Sequence, residues 1–123
     1  MHLGFQAVVT IVVYPGLANL APDDWERGHA AHTHRMLIAV IPVYAALAIA
    51  VGLAVATLSC SPALIVTTGA ILIVWVTTAL VAAPIHHRLS IGGPTQKLIR
   101  DLRLADTFRL IGAAVACGAA LFV

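Results

Sequence analysis

Charge is what this sequence has least of. Seven Lys and Arg and five Asp and Glu are scattered over 123 residues, a charged share of 10% against 61% hydrophobic, with a mean hydropathy of +1.00. Soluble domains carry about 25% charged residues, so the composition excludes that class and points to a chain that lives in lipid. The net charge of +2 argues for no nucleic-acid partner, because the few cations sit beside apolar runs and read as membrane-interface residues. The apolar runs also lack the alternation of a membrane barrel, and an unclosed sheet in lipid would leave backbone groups unpaired, so strands are excluded. No basic leader precedes the first run and no small-residue cleavage site follows it, which predicts an uncleaved span; the run begins at the initiator Met, and the true start lies there or upstream. Two cysteines allow one pairing, Cys60 with Cys117, and otherwise read as small packing residues. Linkers are absent, and so is an internal repeat in residue identity.

What is there is four apolar runs, roughly 3 to 21, 36 to 58, 63 to 85 and 104 to 123. Each is near the ~20 residues that cross a bilayer as a helix. The expected fold is all-α, a single four-span transmembrane domain over residues 1–123 built as an integral membrane four-helix bundle. Arg27 and Arg35 flank the loop after the first span; Arg88, Lys97, Arg100, Arg103 and Arg109 lie in or near the loop after the third, and the Ser59-Cys60-Ser61-Pro62 turn is uncharged. The positive-inside rule then places loops 22–35 and 86–103 in the cytoplasm and both termini on the outer side of a multipass cell-membrane protein.

Against that background one stretch stands out, Pro22-Asp-Asp-Trp-Glu-Arg-Gly-His-Ala-Ala-His-Thr-His-Arg35. Asp23 and Asp24 suit the start of a helix that runs through it to Leu58. On that helix Trp25, His29, His32 and Met36 fall on one stripe, whereas His34 points elsewhere. Its counterpart is the patch from Pro84-Ile-His-His-Arg-Leu to Asp106 and Arg109, and any chemistry belongs where the two patches meet. Proline is expected to kink or unwind the helix at Pro15, to kink it at Pro42 and to break it at Pro84, with Gly92-Gly93-Pro94 ending the third span. Thr95 is a natural N-cap for the last helix. Ala48, Gly52 and Ala56, and likewise Gly112, Ala113, Ala116 and Cys117, form small-residue faces for close helix packing. Gln6 suits a hydrogen bond to a neighbouring helix, and Trp75 sits too deep for an interfacial belt. Trp25 and Tyr14 fit such a belt or a ligand pocket.

Two constellations bear chemistry. His29, His32 and His86 are candidate metal ligands, with Glu26 three residues before His29 and Asp106 facing them, a set suited to a single iron, copper or zinc; the alternatives are acid–base use of the same imidazoles and ordinary interfacial histidines. Asp106 and Arg109 lie at membrane depth, where an ionisable residue marks either a structural ion pair or a functional site. In the functional reading Arg109 holds an anionic oxygen while a histidine serves as the base.

The string Val76-Thr-Thr-Ala-Leu-Val-Ala-Ala-Pro-Ile-His-His-Arg-Leu89 resembles the third-span signature of the anthrone oxygenase-like family of small four-span membrane proteins, with His86 in the place of that family's asparagine. Asp106-Thr-Phe-Arg109 is similar to its final-span Asn-x-x-Arg, and His32 to Met36 falls at the polar head of its second span. The resemblance implies a four-helix bundle and cofactor-independent oxygenation of a phenolic polycycle. The expected function is therefore an oxidoreductase or oxygenase acting on a lipophilic phenolic or quinone-like molecule taken from the lipid bilayer. Its catalytic residues would be His86, Asp106 and Arg109, and its substrate-binding residues Trp25, His32 and Arg109. The cofactor would be none, or a single transition metal on His29, His32 and His86. The alternative is a non-catalytic membrane subunit or assembly factor, part of a homo-oligomer or of a larger membrane complex.

Overall fold

The structure, a computed structural model, describes all of residues 1–123 and contains helices and no strands. Four helical rods follow one another: α1 (His2–Ala18), α2 (Pro22–Thr57), α3 (Pro62–Gly92) and α4 (Gln96–Ala120). Two of them, α2 and α3, are long and apolar enough to cross a membrane by length and composition. The first rod is shorter than the run that predicts it, ending at Ala18. The last begins at Gln96, well before its apolar run, because Thr95 accepts a hydrogen bond from the Leu98 amide at 3.2 Å and caps it. Ser61 does the same for α3 through the Leu64 amide. The turn from α3 to α4 goes through Gly93 at φ 72°, a left-handed conformation that a Cβ would strain.

One of the proline expectations, the break at Pro84, is corrected. The rod α3 runs through Pro84 to Gly92 without a break, and α1 runs through Pro15 to Ala18. In both, a π-helical turn lies just upstream, Val9–Val13 before Pro15 and Thr78–Ala82 before Pro84. A proline inside a regular helix clashes with the carbonyl four residues back and gives it no donor. Those carbonyls belong to Ile11 and Leu80, each in the middle of a π turn, and the wider turn moves them off the ring. Helix α2 also continues through Pro42.

The extra residue in the π turn of α1 changes which side chains face inward. His2, Gln6 and Val9 are buried above it, and Tyr14 and Leu17 below it. A regular helix would have carried that stripe on to Val13.

Packing is concentrated on α4. Ala105, Ala113 and Ala116 are buried along it, and a Cβ on Gly112 would come within 2.7 Å of Val74 Cγ2 on α3. That small-residue face packs as expected. The other one does not: a Cβ on Gly52 would meet nothing within 4 Å, so the Ala48, Gly52 and Ala56 face of α2 has no partner within the chain. Beyond His29, α2 buries no residue fully, and Leu37, Ile38, Ile41, Ile49 and Leu53 are exposed. It is tied to α3 chiefly at its polar end. There Trp25 is buried and donates its indole N–H to the Leu89 carbonyl at 3.2 Å, one of the last-turn acceptors that a helix leaves free. Cys60 and Cys117 are unpaired and exposed, forming neither a disulfide nor part of the core.

Candidate functional site

The head of α2, the lower half of α3 and the foot of α1 meet around Tyr14, Leu17, Trp25, Ala82, Ile85 and Leu89, one buried cluster that Leu102 of α4 completes. Its apolar contacts hold three imidazoles together. His29 and His86 approach to 3.3 Å between Nε2 and Nδ1. His32 and His86 stack with ring centres 5.5 Å apart, and His29 and His32 stand 6.4 Å apart. Each ring has a backing: Trp25 stacks on His29 at 5.2 Å, and Tyr14 lies 6.2 Å from both His32 and His86. Nε2 of His32 is buried and makes no hydrogen bond. Burial holds the His29 imidazole below its ordinary value of 6.5; His32 is lowered by burial and then by the neighbouring His29 charge. No group of three His, Cys, Asp or Glu side chains is placed to hold a metal ion as the structure stands, so the expected trio of His29, His32 and His86 is a cluster of rings and not a formed metal site.

The second constellation is deeper. Arg109 and Asp106 are both buried and face each other at 3.3 Å, an internal ion pair one turn apart on α4. Gln6 of α1 donates its amide N–H to the same carboxylate oxygen, the interhelical bond its position predicts. A charge-assisted bond is usually 2.7–2.9 Å, so the Arg109 contact is loose. Nε of Arg109 is buried without a partner, which leaves the guanidinium donors to spare.

One cavity of about 1110 Å³ joins the two constellations. From α2 it is lined by Trp25, His29, His32, Met36, Val40 and Tyr44, so the predicted stripe is its wall and extends two turns further. From α3 it is lined by Thr78, Ala82, His86 and Ser90, residues four apart, and Tyr14 and Arg109 complete it. Glu26, His34 and His87 belong to its exposed rim. Asp106, expected as a catalytic residue, does not line it; it stands behind Arg109, between α1 and α4. Trp25 is a buried wall residue tied to α3, and an interfacial belt is not its place.

Sequence reasoning missed Tyr44 and Thr78 and left Tyr14 undecided. Tyr14 sits between the histidines and the Arg109 side of the cavity. Tyr44 and Thr78 close the deep end with a 2.8 Å hydroxyl–hydroxyl bond. The period of four from His32 through Met36 and Val40 was a usable signal for Tyr44. Tyr14 was open between a belt and a ligand pocket, and its inward turn, which depends on the π segment, places it in the cavity. No protein-family model, curated protein or solved structure matches the chain.

Proposed function

We propose that this chain is an integral membrane protein of four spans, with both termini outside and loops 22–35 and 86–103 in the cytoplasm, whose cavity takes a lipophilic phenolic or quinone-like molecule from the bilayer. The observation that carries the reading is one cavity walled by His29, His32 and His86 at one level and by Arg109 further in. An imidazole accepts the phenol proton, and Arg109, held by Asp106 but not saturated by it, steadies the oxyanion. The anion is electron-rich, and dioxygen is the oxidant in the oxygenase reading that the Pro84 to Leu89 and Asp106 to Arg109 resemblance suggests. The exposed Leu and Ile side chains of α2 and α3 suit a lipid environment. Helix α1 is only about 25 Å long at 1.5 Å per residue, so its span rests on local thinning of the bilayer.

The test is binding of a naphthol and a naphthoquinone to protein in mild detergent, followed by Trp25 and Trp75 fluorescence. Wild type should bind in the micromolar range or tighter. An Asp106→Asn, Arg109→Gln double variant, which removes both buried charges together, should bind at least about tenfold more weakly, the loss expected for one hydrogen bond to a charged group. Equal affinity in the two proteins would remove Arg109 from the reading.

The unpartnered Ala48, Gly52 and Ala56 face favours a second reading, a membrane subunit that packs this face on another chain. A Gly52→Leu variant that dissociates a complex without affecting ligand binding would support it.

A further inference from the structure

We infer that His29, His32 and His86 form a binding site for one divalent first-row transition-metal ion. The inference stands on the arrangement of the three rings and does not rest on the phenol reading. A metal at 2.0–2.1 Å from each nitrogen in tetrahedral geometry sets nitrogen pairs about 3.3–3.4 Å apart. His29 Nε2 and His86 Nδ1 are 3.3 Å apart. As a hydrogen bond that distance is long against the usual 2.9–3.0 Å; as an edge of a coordination tetrahedron it fits. Ring centres of three such ligands would stand roughly 5 Å apart, and here they stand at 5.5, 5.6 and 6.4 Å.

The shortfall is in the third ligand, since the three nitrogens do not yet meet at one point. His32 is the ring that has to move, since it makes no hydrogen bond whereas His29 and His86 already meet at 3.3 Å. Its Nε2 is buried and unpartnered, so rotation breaks no hydrogen bond and relieves an orphaned polar atom. His29 stacks on Trp25, and Tyr14 lies equally close to His86 and His32. Three imidazoles from two helices leave a fourth position open to water or a ligand from the cavity. Imidazole donors suit zinc, copper, iron, nickel and cobalt, and do not suit magnesium or calcium.

The experiment uses full-length, tag-free protein in mild detergent, stripped with chelator and titrated with Co²⁺ and Zn²⁺. Wild type should take up one equivalent of Co²⁺, with the visible ligand-field bands of a four- or five-coordinate ion, and Zn²⁺ should displace it. His86→Ala and His32→Gln should each weaken binding more than about 100-fold, beyond the loss seen for partners that only orient a ligand. His32→Gln removes a ring that makes no hydrogen bond, so it tests the site even if His86→Ala fails to fold. His34→Ala and His87→Ala, on the exposed rim, should bind as wild type does. No saturable equivalent in the wild type, or binding lost with His34 or His87 and kept without His32, would overturn the inference. Naphthol binding without metal binding would sink this inference alone, and the reverse would sink only the phenol reading.

Discussion

At the scale of single residues, the site is made of polar groups that the surrounding packing leaves short of partners. His32 Nε2 and Arg109 Nε are buried and unbonded, and both belong to residues of the one large cavity. Such groups cost free energy unless something satisfies them, which is the physical reason to look for a ligand there. Burial of His29 and His32 also makes the metal-free protein sensitive to acid. Well above the ordinary imidazole value of 6.5, His29 and His32 are neutral both folded and unfolded, and these two rings add no pH dependence. Below it the unfolded chain binds protons that the native one resists, because burial depresses both groups, so stability falls as pH is lowered from 6.5 toward the depressed values. Thermal unfolding of chelated protein in detergent between pH 7.5 and 5 should show a falling midpoint, and the slope should shrink in His32→Gln. A midpoint independent of pH over that window would mean that the two rings are not held neutral by the fold. The pairing of Trp25, His29 and His32 was legible from spacing alone. The retreat of Asp106 behind Arg109 was not, because an i, i+3 pair has no inner or outer member until Gln6 takes one side.

At the scale of elements, the two π turns decide where the site's aromatic and imidazole groups point. Pro15 and Pro84 announce a disturbance in the sequence, and a kink or a break is the ordinary expectation. Here the helix absorbs each proline by widening the turn that holds the opposed carbonyl, and everything downstream is rotated relative to everything upstream. Replacing Pro84 by Ala restores an amide for the Leu80 carbonyl and lets Thr78–Ala82 relax to a regular helix. Losing one residue of excess re-phases the segment by about 100°, the angle per residue of an α-helix. His86 then leaves the cavity. The expected outcome for Pro84→Ala is unchanged or higher thermal stability with loss of Co²⁺ uptake and of naphthol binding. Retention of both would show that the π turn does not aim His86. The same argument places Tyr14, the residue that a regular helix would have replaced with Val13.

At the scale of the whole molecule, α4 is the spine and α2 is the loosely held wall. Gly112 lets α3 approach α4 so closely that no side chain fits between Gly112 and Val74. Helix α2 is anchored by Trp25 and His29 at one end; further up, Tyr44 meets Trp75, and Leu47 and Val51 pack against the cluster of Ala70, Ile71 and Ala116. That leaves room for the cavity between α2 and α3. Under the proposed orientation, Cys60 lies in the outer turn between these two helices and is exposed. A membrane-impermeant maleimide applied to intact cells should label it, and a Cys60→Ser variant should not be labelled. Labelling only after the cells are opened would invert the topology.

The helical class and the four rods followed from the sequence alone, because a run of about twenty apolar residues must satisfy its backbone within itself and only a helix does so. The facing stripe of Trp25, His29, His32 and Met36 followed from helical spacing in the same way. The meeting of the three histidines with Arg109 was expected from the two polar patches; tertiary structure alone decided which prolines are absorbed, which small-residue face finds a partner, and that Tyr14 lines the cavity while Asp106 stands behind it. Those outcomes depend on contacts between residues far apart in the chain, such as Trp25 with Leu89 and Gln6 with Asp106. Periodicity within a single helix carries no information about them.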